Sequence, residues 1–290
     1  WTIACLTPFN AGSLVGYVFP FLFTFLGISN VAAKGVVPDS VIYSFYIGAA
    51  ILILCVIYTS AKVKEMPPKE YAEYHGLDKP LNEEKVNVVK LLRNAPKAFW
   101  TVGLVQFFSW AAFLYMWNYT NGAIAETCWQ TTDPTSAGFQ EAGNWVGILF
   151  AVQAIGSVVW AMALPRFSNR KMAYALSLVL GGIGFLMIPY ISDQYVLFIP
   201  YLLIGCAWAA MLAMPFTIVT NALNGSHMGA YLGLFNGTIC IPQIIAAALG
   251  GVVLTLVGSA QSHMMIVAGV FLIIGAACVG IIKETIGESE

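Results

Sequence analysis

The residues best suited to bind a solute lie near the end of one long apolar run. In Phe113-Leu114-Tyr115-Met116-Trp117-Asn118-Tyr119-Thr120-Asn121, the residues Tyr115, Asn118 and Asn121 recur three apart, and Gln106 lies deeper in the same run. Amides pair with hydroxyls as both donors and acceptors, and aromatic faces cover the apolar sides of a ring. That mixture suits a small, sugar-like solute. A second set is Asn236 and Gln243, seven apart and therefore on one helix face. Beside them Pro242 lacks an N–H and frees the carbonyl of Thr238. Polar residues next to a helix break at mid-membrane depth are a common way to build a solute or gating site. Trp208, Gln153 and Asn221 are further polar or aromatic residues in or at the ends of apolar runs. Helix–helix bonding is the alternative use of all these amides. Glu126 follows the first stripe. A carboxyl at a cavity mouth can carry a proton; a solvated loop acid is the other reading.

Enzymatic chemistry finds no footing. His75, His227 and His263 lie in or beside polar segments, and none has a metal-ligating neighbour at i+4. The sequence holds no HExxH, GxSxG or P-loop, and no paired carboxylates within its apolar runs. A potassium-channel filter sequence is absent too. The expectation is a non-enzyme with no metal and no cofactor. A net charge of −1 gives no basic field for nucleic acid. Five of the six cysteines fall inside apolar runs, Cys128 being the exception, and read as small packing residues.

The elements that must position these residues are membrane helices. Of 290 residues, 59% are hydrophobic and only 9% charged, against about 25% charged in soluble domains. The mean hydropathy is +0.79. About 20 apolar residues are needed to cross roughly 30 Å of hydrocarbon. Eight segments qualify: Leu6–Ile28, Val41–Ser60, Ala98–Tyr119, Asn144–Leu164, Met172–Ile191, Tyr195–Val219, Gly229–Val257 and Ser262–Ile282. Their apolar runs are continuous, not the short alternating strands of a membrane barrel. The expected fold is therefore all-α and polytopic.

Charge then sets the orientation. With residues 61–96 placed in the cytoplasm, that side collects Lys62, Lys64, Lys69, Lys79, Lys85, Lys90, Arg93, Lys97, Arg166, Arg170, Lys171 and Lys283. Only Lys34 falls outside. This asymmetry is the positive-inside pattern. The polar stretch Lys62–Pro96 contains the Pro67-Pro68 pair and ends in a short interfacial helix expected over Asn82–Asn94, with Asn82 as its cap. Gly229, Gly233 and Gly237 share a face suited to close helix packing. Two spans before a long loop and six after it is the layout of spans five to twelve of a twelve-span carrier. On that reading residues 1–61 close an N-terminal six-helix bundle, 62–97 form the central loop, and 98–290 form the C-terminal bundle. The chain opens on Trp1 inside an apolar run, so four further spans are expected upstream.

Three segments resemble the glycoside–pentoside–hexuronide:cation symporter group of the major facilitator superfamily. Gly205-Cys206-Ala207-Trp208-Ala209, with Met214-Pro215, is similar to that group's tenth span. Met228-Gly229-Ala230-Tyr231-Leu232-Gly233-Leu234-Phe235-Asn236, running to Ile241-Pro242-Gln243, resembles its eleventh. Pro165-Arg166-Phe167-Ser168-Asn169-Arg170-Lys171 resembles the superfamily's short basic cytoplasmic loop, without its acidic residue. The resemblance implies a major-facilitator-type helical bundle working by alternating access, and proton-coupled uptake of a sugar or glycoside. Unlike the plant sucrose carriers, this chain has no Arg between Asn118 and Glu126, which favours a bacterial relative. The expected partners are a sugar-like solute, a proton and the lipid bilayer, in a monomer of the inner membrane with a cytoplasmic C-terminus. The solute contacts expected are Gln106, Tyr115, Asn118, Asn121, Trp208, Asn236 and Gln243, with Glu126 as candidate proton carrier. The alternatives are a carrier of an organic anion or drug, and a non-transporting scaffold working through Lys62–Pro96. Cysteine labelling tests the layout. In a cysteine-free background, single cysteines replacing Lys90 and Ser168 should resist an impermeant reagent outside intact cells, and one replacing Thr135 should react. Reaction at only one of the first two positions would overturn the orientation.

Overall fold

The computed structural model describes residues 12–13, 15–19, 22–23, 25–29, 36–64, 66–67, 70, 73–74, 87–223 and 228–282. Among them, seven helical segments are long and apolar enough to cross a membrane. The expected span Leu6–Ile28 lies partly outside the described residues, and within them residues 12–13, 15–19, 22–23 and 25 are helical. The chain divides into two compact units, Phe19–Asn94 and a larger one made of Trp1–Val18 with Ala95–Glu290.

The smaller unit contains α1, Asp39–Lys62, with Asp39 in its first turn and Lys62 in its last, each charge opposing the helix dipole. At 24 residues it is about 36 Å long, enough to span. A short helix follows, α2, Val88–Arg93. Its cap is Asn87, whose side chain accepts the Lys90 N–H at 3.2 Å. The expected cap, Asn82, lies outside the described residues, and within them the helix is shorter than Asn82–Asn94.

The larger unit holds α3 (Lys97–Cys128), α4 (Ala137–Ala163), α5 (Arg170–Met187), α6 (Phe198–Ala222), α7 (Met228–Phe235), α8 (Gly237–Leu256) and α9 (Gln261–Val279). Single 3₁₀ turns, Leu164–Arg166 and Ile188–Tyr190, close α4 and α5. Helix α3 runs nine residues past the expected end at Tyr119. Hydrophobicity drops there, but nothing between Thr120 and Cys128 stops a helix. The stop comes after Trp129, where Gln130 adopts a positive φ of 50°. In the following loop Asp133 accepts the Thr135 N–H at 2.9 Å and its hydroxyl at 2.8 Å. Those donors hold the Asp133 carboxyl below the usual carboxylate range. Ser136 then caps α4 through the Phe139 N–H at 3.2 Å.

The single span expected over Gly229–Val257 is one membrane-length segment, Met228–Leu256, in which α7 and α8 are parted only at Asn236, a residue with helical backbone angles. Next to it the Thr238 hydroxyl donates to the Phe235 carbonyl at 2.7 Å.

Helices in lipid have no hydrophobic drive toward one another and associate by close packing. Two glycine pairs provide it. A Cβ on Gly156 of α4 would lie 2.7 Å from the Leu202 carbonyl of α6, and one on Gly205 of α6 would strike the Gln153 carbonyl of α4. In the same way Gly182 of α5 faces the Gly269 carbonyl of α9, and Gly269 faces the Gly182 carbonyl at 2.9 Å. The expected packing face on Gly229, Gly233 and Gly237 does not take this part. A Cβ at Gly229 or Gly233 meets nothing within 4 Å, and one at Gly237 meets only Ile241 of its own helix. A small-residue pattern marks a face that permits close approach, but only the helix order decides which such face is covered.

Gly156→Ala and Gly205→Ala should each destabilise the full-length protein. Overpacking costs about 1–3 kcal/mol, and the better helix propensity of Ala returns up to about 1. Both clashes are with backbone, so the net is a lower melting temperature in detergent. An unchanged melting temperature in both variants would contradict the α4–α6 approach.

Candidate functional site

Along α3, residues spaced four, seven and eleven apart return to one face. Gln106, Trp110, Phe113 and Trp117 are so spaced, and they turn an aromatic ridge toward α6. From α6, Trp208 inserts its ring among them. Its centroid lies 5.0 Å from Phe113, 5.8 Å from Trp110 and 5.8 Å from Trp117. Phe113 in turn meets Phe185 of α5 at 5.8 Å, edge to face. Such tilted and edge-on pairs fix ring orientation, because each positive ring edge meets a negative face.

Trp117, at the end of this ridge, and Trp208 border a cavity of about 310 Å³ lined by Ser13, Tyr17, Trp117, Phe150, Gln153, Ala154 and Trp208. The volume falls at the small end of ligand sites. Helix α4 contributes Phe150, Gln153 and Ala154 from adjacent turns, and Tyr17 meets Phe150 at 5.6 Å. Gln153 is only 6% exposed, yet its amide has no hydrogen-bond partner among the described residues. A buried amide left unpaired costs free energy, so its donors and acceptor are available to whatever enters. Among the described residues, no Asp, Glu, Lys, Arg or His lines the cavity. Its field is that of rings, a hydroxyl pair and one amide.

Of the solute contacts expected from sequence, Trp208 alone lines this cavity. The stripe of Tyr115, Asn118 and Asn121 does not hold together. A step of three residues rotates by about 60° short of a full turn, so three such positions fan across a third of the helix. Tyr115 is buried on the opposite side, its ring 6.0 Å from Tyr119 and 6.0 Å from Phe271. Asn118 is exposed. Asn121 turns toward α4, within 3.5 Å of where a Cβ on Gly143 would be, and its Oδ1 is buried without a partner. Gln106 shares the face of Trp110 but is fully buried, with both amide atoms unpartnered. Asn236 is exposed between α7 and α8, and Gln243 is half-buried on α8. Of the lining residues, Ser13, Tyr17, Trp117, Phe150 and Ala154 were left outside the site by sequence reasoning, which named Gln153 only with helix–helix bonding as the alternative. The spacing of Gln106, Trp110, Phe113 and Trp117 was a usable signal, because it keeps helical period where the chosen stripe did not.

Glu126 is helical, not a loop residue. Its Oε1 accepts the Gln261 N–H at 2.8 Å and its Oε2 the Ser262 N–H at 2.9 Å. Among the described residues, no three His, Cys, Asp or Glu side chains gather as metal ligands.

The described residues thus form a bundle of membrane-length helices with an aromatic-lined cavity. The profile of the Major Facilitator Superfamily matches residues 111–286, and the chain belongs to that family. It is also similar to the magnetosome protein MamH of Paramagnetospirillum magneticum, with 30% identity over 145 residues. That match covers 49% of this chain and 33% of MamH, so the chain spans about a third of that relative.

Removing an orphaned amide from the core should stabilise the bundle. Gln106→Leu conserves shape and deletes two unpaired polar atoms, worth about 1–3 kcal/mol. The melting temperature of the full-length protein should rise. A fall would mean that Gln106 has a partner in the folded protein.

Proposed function

We propose that the chain forms the C-terminal solute-binding half, with the last two spans of the other half, of a secondary transporter that carries an uncharged, ring-bearing polar solute of the sugar class. The observation that carries this reading is the cavity itself. Trp117 and Trp208 offer faces and edges to the apolar sides of a ring, and the free amide of Gln153 offers hydrogen bonds to its hydroxyls. An anion would call for a cationic wall, and the described lining residues hold no cation. Membership of the superfamily and the resemblance of the α6 and α7–α8 sequences to sugar:cation symporters support the same reading, with uptake coupled to protons across the inner membrane. The central loop and C-terminus are then cytoplasmic.

A second reading keeps the carrier and changes its cargo. The relative found bears the name of a magnetosome protein and not of a sugar carrier, which favours a non-sugar solute.

Uptake by cells expressing the full-length protein separates the two. Labelled sucrose, maltose and monosaccharides are compared with organic anions and cations, with and without a protonophore. A neutral sugar should accumulate, and the protonophore should abolish accumulation. Gln153→Ala should raise KM about tenfold, the equivalent of roughly 1.4 kcal/mol, and Trp208→Ala at least as much. Accumulation of a charged solute with no response to any sugar would reject the sugar reading and keep the carrier.

A further inference from the structure

Helix α9 begins without a cap of its own. The residue before it, Ala260, has no side-chain acceptor. The first N–H groups of any helix lack intrahelical partners, and near lipid water does not readily replace them. Here the partner arrives from another helix. Both oxygens of Glu126, in the last turn of α3, take the N–H groups of Gln261 and Ser262 at 2.8 and 2.9 Å. The bonds are charge-assisted, and the carboxylate faces the positive end of the α9 dipole. One turn earlier on α3, Gly122 has no side chain, and the Gln261 side chain occupies the place where a Cβ would be. The next residue, His263, turns its Nδ1 to the Val257 carbonyl at 2.6 Å and takes no part in the clasp.

The other end of α9 is held by the opposite charge. The ammonium of Lys171, in the first turn of α5, donates to the Ile282 carbonyl at 3.0 Å, just past the last turn of α9. A cation at the negative end of the dipole is again the stabilising sign. Between the two ends α9 lies against both holders. Gly275 approaches Ser109 and the Val105 carbonyl of α3, and Gly269 meets the Gly182 carbonyl of α5.

We infer that Glu126 and Lys171 are positioning residues that fasten α9 to α3 and α5 at its two ends, so that the three helices move as one body. Glu126 is then occupied as a cap and is not the carrier of a coupled proton. The inference stands on the bonds at the ends of α9 and not on any particular solute.

Hydrogen–deuterium exchange on the full-length protein in lipid nanodiscs tests it. Glu126→Gln keeps one acceptor and loses the charge, so exchange over residues 261–264 should rise about tenfold while residues 278–282 stay as in the parent. Lys171→Met should do the converse. With 19 residues between them the ends are about 28 Å apart, so the two effects should add in the double variant. If Glu126→Gln does not accumulate in the membrane, the Lys171→Met measurement decides alone. Unchanged exchange at the residues next to either substitution overturns the clamp. Transport supplies the second readout. Glu126→Gln should lower the maximal rate and keep KM and the shape of the pH profile. A flattened pH profile with solute exchange intact would falsify the positioning role and make Glu126 a proton carrier.

Discussion

Close approach of helix backbones is the constraint on which this structure depends. Lipid gives apolar side chains no reason to leave it, so the larger unit is joined where glycine lets one helix reach the carbonyls of the next. Gly156 with Gly205 seats α4 on α6, and Gly182 with Gly269 seats α5 on α9. The first of these contacts fixes where α6 stands against α4, and with it the ring of Trp208. It is made at the Gln153 carbonyl, so the cavity depends on backbone packing at one of its own lining residues.

Within that frame the cavity is lined by Trp117 of α3, Trp208 of α6, three residues of α4, and Ser13 and Tyr17. The Trp110, Phe113, Trp117 and Trp208 rings lie 5.0–6.4 Å apart and hold one another in tilted and edge-on contact. Their rigidity leaves the space beside them open instead of collapsed. Gln153 then stands as the polar group of a wall without formal charge.

Formal charge in the larger unit is placed at helix ends. Glu126 meets the start of α9 and Lys171 meets its finish, and Arg166 donates to the Met162 carbonyl near the end of α4. Each answers backbone groups that a helix terminus leaves open, in a medium where water cannot be relied on to do so. The basic loop read from sequence as a mark of orientation thus has a second use in the fold. Lys171, expected from sequence on the cytoplasmic side, donates to the Ile282 carbonyl and so ties α5 to the end of α9.

Composition and run length settled the class of this protein unaided. A chain with 9% charged residues and apolar runs of membrane length can satisfy its backbone in lipid as helices, and the local sequence dictates that choice. Helix ends were less legible. The expected end at Tyr119 followed hydrophobicity, whereas the actual end at Cys128 followed backbone preference, which continues past the drop in hydrophobicity. Partnership was not legible at all. Nothing local separates the glycines at 156 and 205, which are covered, from those at 229 and 233, which meet nothing. The same holds for the amides of Gln153 and Gln106, one opening on a cavity and one sealed in the core. Both distinctions depend on which helix lies next to which, and in lipid that is decided by shape complementarity summed over whole helices. Sequence therefore determined the helices and the side chains on each of their faces, and only the tertiary packing decided which of those faces surround a site.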